Sequence, residues 1–346
     1  MADRPVAGRV GLLGPAGSGK TSLFCALTGV EYARAAASGG QAIGGSVRVL
    51  DPRLARFHQT EGPHRKLVTP VLEIFDTPSL DLEGPGGGRN AGRLATVREC
   101  DGYLAVLRAY DGSDPLLQME ALRGELVRAD LDVLQKRLEK LETEARRALP
   151  DREERLREME ILRPLREAMA AGEEKAFERL TPEDEKRLRG FQLYSRKPLV
   201  ALANIAEKDL GRPADFPAAA VRLEMELLAM EPAERAGFMR EYGLDQLTLE
   251  TLPLRLCEAL GLVTFLTANE REVAGWALRR GSTALEAAGL IHTDLQKGFI
   301  SCEVVAFDEW ARWKSLHEAR TRGSRRVEGR SYVVRDFDIL TVKFNV

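Results

Sequence analysis

Short apolar runs alternate with helical stretches along the first part of the chain. Val10-Gly-Leu-Leu13 reads as a buried strand, and Ser22 to Leu27 as the start of a helix. Val71-Leu-Glu-Ile-Phe75, Tyr103-Leu-Ala-Val-Leu107 and Pro198-Leu-Val-Ala-Leu-Ala203 read as three more strands. Continuous apolar strands separated by helices predict an α/β fold whose mostly parallel sheet is covered on both faces.

Between the third and fourth of these strands the texture changes. From Leu117 to about Gly190 the chain is rich in Leu, Glu and Arg, and Leu134, Leu138, Leu141 and Ala145 form an apolar stripe at helical spacing. Leu149-Pro-Asp151 breaks the stripe, and Asp151 is expected to cap the next helix. Leu156, Met159, Leu162 and Leu165 give that helix an apolar face, with Pro164 expected to kink it. Thr181-Pro182 starts a further short helix with proline at its first position. A helical hairpin inserted between two strands is the simplest arrangement. Charged helices packed on the same core remain the alternative.

The last eighty or so residues are punctuated by Gly281, Gly289, Gly298, Gly323 and Gly329. Phe299 to Ala306, Arg330 to Val334 and Ile339 to Phe344 read as strands around a short Ser282–Gly289 helix, which predicts a small α+β unit. Ala33 to Gly45 is a stretch of mostly Ala, Gly and Ser.

Composition narrows the functional classes. The chain has 346 residues, too many for one compact core, with 44% hydrophobic and 30% charged residues and a net charge of −2. A near-neutral total excludes nucleic-acid binding by bulk positive charge, though not by a local patch. No run of about 18 apolar residues occurs, so neither a spanning helix nor a membrane partner is expected. Met1 to Val10 lacks the apolar stretch of a signal peptide. Cys25, Cys100, Cys257 and Cys302 form no paired motif and read as buried free thiols, and the four histidines are equally scattered. A cytoplasmic location is the expectation.

The chemistry is concentrated in Gly14-Pro-Ala-Gly-Ser-Gly-Lys-Thr21, a full match to the phosphate-loop pattern between a strand and a helix. Gly14, Gly17, Ser18, Gly19, Lys20, Thr21 and Ser22 are the expected phosphate-binding residues. Glycines let backbone N–H groups converge on one anion, and the helix behind adds the positive end of its dipole. Lys20 reaches the β- and γ-phosphates, and the Thr21 hydroxyl ligates Mg²⁺. Asp76, at the end of the second strand, is placed to hold the same ion through water, with loop capping as its other reading. Asn204-Ile-Ala-Glu207 follows the fourth strand, where guanine-reading proteins carry N-K-x-D. Ile205 and Glu207 break that code, and a glutamate, longer by one methylene, does not keep the bidentate grip on guanine.

Nearly end to end, the chain resembles the YchF-type P-loop ATPases of the Obg-related, translation-factor class. The resemblance rests on the phosphate loop with Ser22-Leu-Phe24 and Ala26-Leu-Thr28, on Val49-Leu-Asp-Pro-Arg-Leu54, on Asn204-Ile-Ala-Glu207 after Lys197-Pro198, and on Glu234-Arg-Ala-Gly-Phe-Met239. It is densest in Thr264 to Ala268, Glu272 to Trp276, Ala287 to Asp294, Lys297 to Ile300, Glu328 to Tyr332 and Phe344-Asn-Val346. It implies three units: a nucleotide-binding unit at 1–115 and 197–260, an inserted helical hairpin at 116–196, and a TGS unit with a β-grasp fold at 261–346. It further implies a Mg²⁺-dependent ATPase that also uses GTP and associates with ribosomes or RNA through its helical and TGS units. The N-x-x-E motif is linked in that family to tolerance of adenine.

Departures from the family pattern fall on the γ-phosphate sensors. The first-switch threonine is replaced at about Gly39, with Ser38 the nearest hydroxyl. The second switch, usually D-x-A-G-L, reads Asp76-Thr-Pro-Ser-Leu80, so Ser79 replaces the sensing glycine and Pro78 removes an N–H. Leu80 keeps the family's apolar residue in place of a water-orienting glutamine, and Asp111-Gly-Ser-Asp-Pro115 holds no histidine. Two functions stay open: slow nucleotide hydrolysis driving a translation-related switch, or a nucleotide-binding scaffold without turnover. No catalytic residue is assigned. A small-molecule phosphotransferase is disfavoured because the inserted helices do not resemble an arginine-bearing lid. Gly84 to Gly88 lacks a following Lys-Thr and reads as a switch segment rather than a second phosphate loop. Arg312, Lys314, Arg320, Arg322, Arg325 and Arg326 near Trp310 and Trp313 read equally as an RNA contact or as a mixed-charge surface.

Overall fold

The structure is a computed structural model that describes residues 6–37, 41–82, 89–145, 151–173 and 175–345. Its first sheet contains β1 (Gly8–Leu13), β2 (Ile43–Arg48), β4 (Val71–Asp76), β5 (Gly102–Arg108), β6 (Leu199–Asn204) and β7 (Ala218–Ala219), and β3 (Lys66–Val68) belongs elsewhere. The order is β2-β4-β1-β5-β6-β7, parallel except for β2 against β4. β1 lies in the middle, and its Val10 and Leu12 have no exposed surface. Helices cover both faces, as an apolar run without polar alternation requires. Chain connections diverge to opposite sides of β1, so a crevice opens above its carboxyl end, where ligands of open α/β sheets bind.

β2 hides in the Ala/Gly/Ser-rich stretch. Its Gly45 runs so close to the Lys20–Thr28 helix that a Cβ would meet Thr28 at 2.8 Å, so small residues are what that position admits.

Between β5 and β6 the chain makes the helical hairpin. The Pro115–Ala145 helix, about 46 Å long at 1.5 Å per residue, packs its first half on the sheet through Met119, Leu122 and Leu126. Its second half packs Leu134, Leu138 and Leu141 against Leu162, Leu165 and Met169 of the Arg152–Ala170 helix. Arg137 and Glu158 join the two by paired 2.7 Å hydrogen bonds. Two local expectations are corrected. The Asp151 side chain bonds no helix N–H. Leu156 is 39% exposed, outside the apolar seam. Pro164 does not end the helix, which runs on through it to Ala170, with buried Leu162 and Leu165 on either side packed against the longer helix. The Leu149-Pro part of the break lies outside the described residues. Thr181 and Asp184 form a reciprocal capping box on Pro182–Leu188.

Asp130 fixes where the insertion returns to the sheet. Fully buried in the long helix, its carboxylate accepts from Tyr194 N at 2.7 Å, Ser195 N at 2.8 Å and Ser195 Oγ at 2.6 Å, just before β6. Burial raises its pKa, and the bonds from Ser195 and Tyr194 oppose that shift.

The second sheet contains β8 (Leu262–Ala268), β9 (Glu272–Arg279), β10 (Phe299–Val305), β11 (Arg326–Glu328) and β12 (Ile339–Phe344), in the order β11-β10-β12-β8-β9-β3. β8 and β9 form an antiparallel hairpin, β12 lies parallel to β8, and the Ala284–Ile291 helix packs on one face, which is a β-grasp arrangement. Arg330 to Val334 is not a strand. Its carbonyls serve the start of that helix, with Ala284 N donating to Tyr332 O at 2.8 Å, and only Val333 keeps an isolated bridge.

The two sheets are joined by the segment that follows β2. Asp51 caps the Pro52–Glu61 helix through Arg53 N at 2.7 Å. The Arg53 guanidinium pairs with Asp51 and Asp336, both at 2.9 Å, and lies 3.6 Å over the Phe337 ring. Glu61 accepts from Trp310 Nε1 at 2.7 Å, and Phe57 meets the Trp310 ring edge-on at 4.9 Å. β3 then adds itself parallel to β9.

Replacing Asp130 by alanine strands two backbone N–H groups in a dry site, and is expected to cost about 3 kcal/mol of unfolding free energy. Urea denaturation of the Asp130→Ala variant tests this. A loss below about 0.5 kcal/mol would mean that the carboxylate does not pin the insertion.

Candidate nucleotide site

β1 ends at Leu13 and the chain curls through Gly14, Gly17 and Gly19 at φ 148°, 72° and 95°. Two of these positions also exclude a side chain by space. A Cβ on Gly14 would fall 2.3 Å from Val106 O, and one on Gly19 would fall 2.4 Å from the Asn204 amide nitrogen. The Lys20–Thr28 helix begins at once, with no side chain capping its first turn and no acid in it. Its leading N–H groups therefore face the loop with the positive end of the dipole. Buried Ser18 Oγ has no hydrogen-bond partner among the described residues.

Lys20 is 5% exposed. Its ammonium donates to Gly14 O at 3.1 Å, Pro15 O at 3.0 Å and Ser79 Oγ at 2.9 Å. Burial lowers its pKa to about 8, with Asp76 opposing and Arg93 adding to the shift. Thr21 Oγ1 donates to Asp76 Oδ2 at 2.7 Å. Burial raises the Asp76 pKa against that bond and the Lys20 charge, and Asp76 Oδ1 is buried without a hydrogen-bond partner among the described residues. A hydroxyl and a carboxylate side by side, one carboxylate oxygen unused, form an oxygen donor set of the kind that suits Mg²⁺.

On the other side of the loop a cleft of 680 Å³ runs from Gly17, Gly19 and Ser22 to Ile205, Glu207 and Lys208, floored by Ala220 to Leu223. Asn204 lines it but is engaged at both ends. Its amide nitrogen donates to Ser18 O at 3.0 Å and its oxygen accepts from Val221 N at 3.3 Å, so it braces the loop. Ile205 packs against the Leu223 and Leu227 cluster, and Glu207 opens a 3₁₀ turn at the cleft wall.

Two groups escaped sequence reading. Tyr110, after β5, donates its hydroxyl to Gly17 O at 2.7 Å and lines the cleft. Its signal was its place at the carboxyl end of a parallel strand beside the loop. Arg93, from the Arg89–Ala95 helix, donates to Ser79 O at 2.7 Å. Its position is set by that helix, which no local motif announced.

The second switch is folded onto the phosphate loop. Leu80 N donates to Gly14 O at 2.9 Å, and the Leu80 side chain is buried. Ser38 and Gly39 of the first switch, and Gly84 to Gly88, lie outside the described residues. In the C-terminal unit, Arg312, Arg320, Arg322, Arg325 and Arg326 each lie within 3.7 Å of a glutamate, Arg322 covers Trp313, and Trp310 is fully buried. That surface is a mixed-charge one.

A strand, a glycine loop with an enclosed lysine, and a hydroxyl–carboxylate pair at the sheet's switch point define the P-loop NTPase fold. Comparison with known proteins narrows it. Residues 262–345 match the family model YchF-GTPase_C, described as "Protein of unknown function (DUF933)". The chain is 29% identical over 366 residues to the ribosome-binding ATPase YchF of Bacillus subtilis, covering 97% of this chain and 99% of that one. It is 29% identical over 365 residues to the protein of the same name from Escherichia coli O157:H7, covering 98% and 99%. The solved Schizosaccharomyces pombe YchF GTPase superimposes with a TM-score of 0.80 at 22% identity, over 98% of this chain and 99% of that one. Along nearly its whole length the chain is thus similar to proteins named YchF.

Lys20→Ala is expected to weaken triphosphate binding ten- to hundredfold, the worth of charge-assisted hydrogen bonds in a dry site. In the free protein the ammonium deprotonates as pH rises through about 8, so affinity falls from pH 7 to pH 9 and binding near pH 8 takes up a proton. Calorimetry in buffers of different ionisation heat reads both effects. An unchanged affinity in the alanine variant would refute the assignment.

Proposed function

We propose that the chain binds a purine nucleoside triphosphate with Mg²⁺, prefers ATP to GTP, and hydrolyses it slowly as a switch on ribosome-associated assemblies. The observation that carries this reading is the enclosed Lys20 ammonium between the loop carbonyls and Ser79, with the Thr21–Asp76 pair beside it. The phosphates lie on the N–H groups of Gly17 to Ser22. Thr21 and Asp76 are the residues that would hold the ion, which when bound would offset charge on the phosphates. The base lies in the cleft by Ile205 and Glu207. Relatives named ribosome-binding ATPases, aligned over nearly their whole length, support the partner and the reaction class.

In this reading residues 1–115 and 197–260 bind nucleotide, while the helical 116–196 and the TGS-like 261–346 carry the ribosome or RNA contact. The site of action is the cytoplasm. Among the described residues no helix is long and apolar enough to cross a membrane.

A scaffold with little turnover is the second reading, and Ser79 at the sensor position is the observation that favours it. Loss of one donor to developing charge costs about 10²–10³ in rate. Single-turnover ATP hydrolysis with and without ribosomes separates the two readings. Turnover well below 1 per second that rises with ribosomes supports the switch. A rate near 1 per second without them, the low end for kinases, would show that other groups replace the lost sensors.

Base preference has its own test. ATP is expected to bind at least as tightly as GTP, and Glu207→Asp to move preference towards GTP. A wild-type preference for GTP of tenfold, about 1.4 kcal/mol, contradicts the assignment.

A further inference from the structure

An ammonium has three N–H donors. On Lys20 two of them meet the Gly14 and Pro15 carbonyls, which belong to the loop itself. The third meets the hydroxyl of Ser79, 59 residues further along the chain. A phosphate lying in the loop would take that third direction.

Ser79 is not a free-swinging side chain. Its carbonyl is held by Arg93 at 2.7 Å, and its neighbour Leu80 is tied to Gly14 O at 2.9 Å with its side chain in the core. The hydroxyl is therefore presented to the lysine by a clamped backbone. Moving it means breaking a charge-assisted, partly buried bond and shifting the segment that carries Leu80.

We propose that Ser79 is a latch that sets the order of nucleotide affinities: its hydroxyl stands on Lys20 where a phosphate oxygen would, so a triphosphate, which meets Lys20 through both its β- and γ-phosphates, has to displace it, while a diphosphate, held chiefly on the loop N–H groups, competes with it less. This rests on the nucleotide-binding reading above and adds a specificity-determining residue to it. A glycine at this position offers the γ-phosphate a backbone N–H and no competitor. The serine offers a competitor that is already in place. The consequence is a resting preference for diphosphate, with triphosphate gaining only when something else pulls the second switch away from the loop.

The test measures dissociation constants for ADP and a non-hydrolysable ATP analogue, both with Mg²⁺, for wild type, Ser79→Ala and Ser79→Thr. Ser79→Ala removes the hydroxyl and keeps the backbone. It is expected to tighten the ATP analogue about tenfold, the size of one hydrogen bond to a charged group, with ADP changed less than threefold. Ser79→Thr restores a hydroxyl and is expected to behave as wild type. If both nucleotides bind and their affinity ratio is the same in wild type and Ser79→Ala, the latch is wrong while the site stands. If neither nucleotide binds any of the three proteins, the nucleotide reading fails and takes the latch with it.

Discussion

A lysine charge in an almost solvent-free pocket is the constraint around which the first sheet is arranged. An isolated ammonium there would cost far more than the fold could spare, so every direction around Lys20 is met by an acceptor or a charge. Gly14 and Pro15 turn their carbonyls inward because only a glycine tolerates the backbone that does this. Asp76 stands close enough to raise the lysine's proton affinity against the desolvation that lowers it. Asn204, Tyr110 and Arg108 then fix the loop's outer carbonyls, on Ser18, Gly17 and Ala16. The loop is held from behind by β6 and from the side by the end of β5, which leaves its N–H face open.

The same reasoning explains why the second switch reads as altered and yet packs well. A serine where a backbone donor is expected looks like a loss in sequence. In the fold it is an acceptor for the one lysine hydrogen that the loop carbonyls do not meet. Beyond the switches, the Asp-Pro-Arg-Leu stretch turns into a joint. Asp51 starts a helix, Arg53 crosses to Asp336 and Phe337, and Glu61 crosses to Trp310. Residues Asp51 to Val68, between the two switches, thus dock on the second sheet or join it.

What sequence made legible follows from range. The phosphate loop, the four central strands and the leucine stripe are local patterns whose chemistry is complete within a few residues, and they stand within one or two residues of expectation. What escaped depends on distant partners. β2 is hidden because contact with the Lys20–Thr28 helix selects glycine over β-branched residues. β3 is three residues long, too short for alternation to register. Arg330 to Val334 has a strand's composition, but its carbonyls were claimed by a helix some fifty residues earlier. Asn204 sits in a base-reader motif, and the fold adds that its amide also braces the phosphate loop through Ser18 O and Val221 N.

β3 also bears on how the protein can be taken apart. The segment matched by the family model, 262–345, contains β8 to β12 and nothing of Lys66–Val68. Cut out on its own, it would bring Glu272 to Ala274 to the surface as a bare strand edge, and would lose Leu54 from beside Gly275 and Phe57 from beside Trp310. An uncovered edge next to vacated apolar surface is a template for self-pairing. Poor solubility in such a fragment would report a missing neighbour strand from the other end of the gene rather than a defect in the fragment's own sequence.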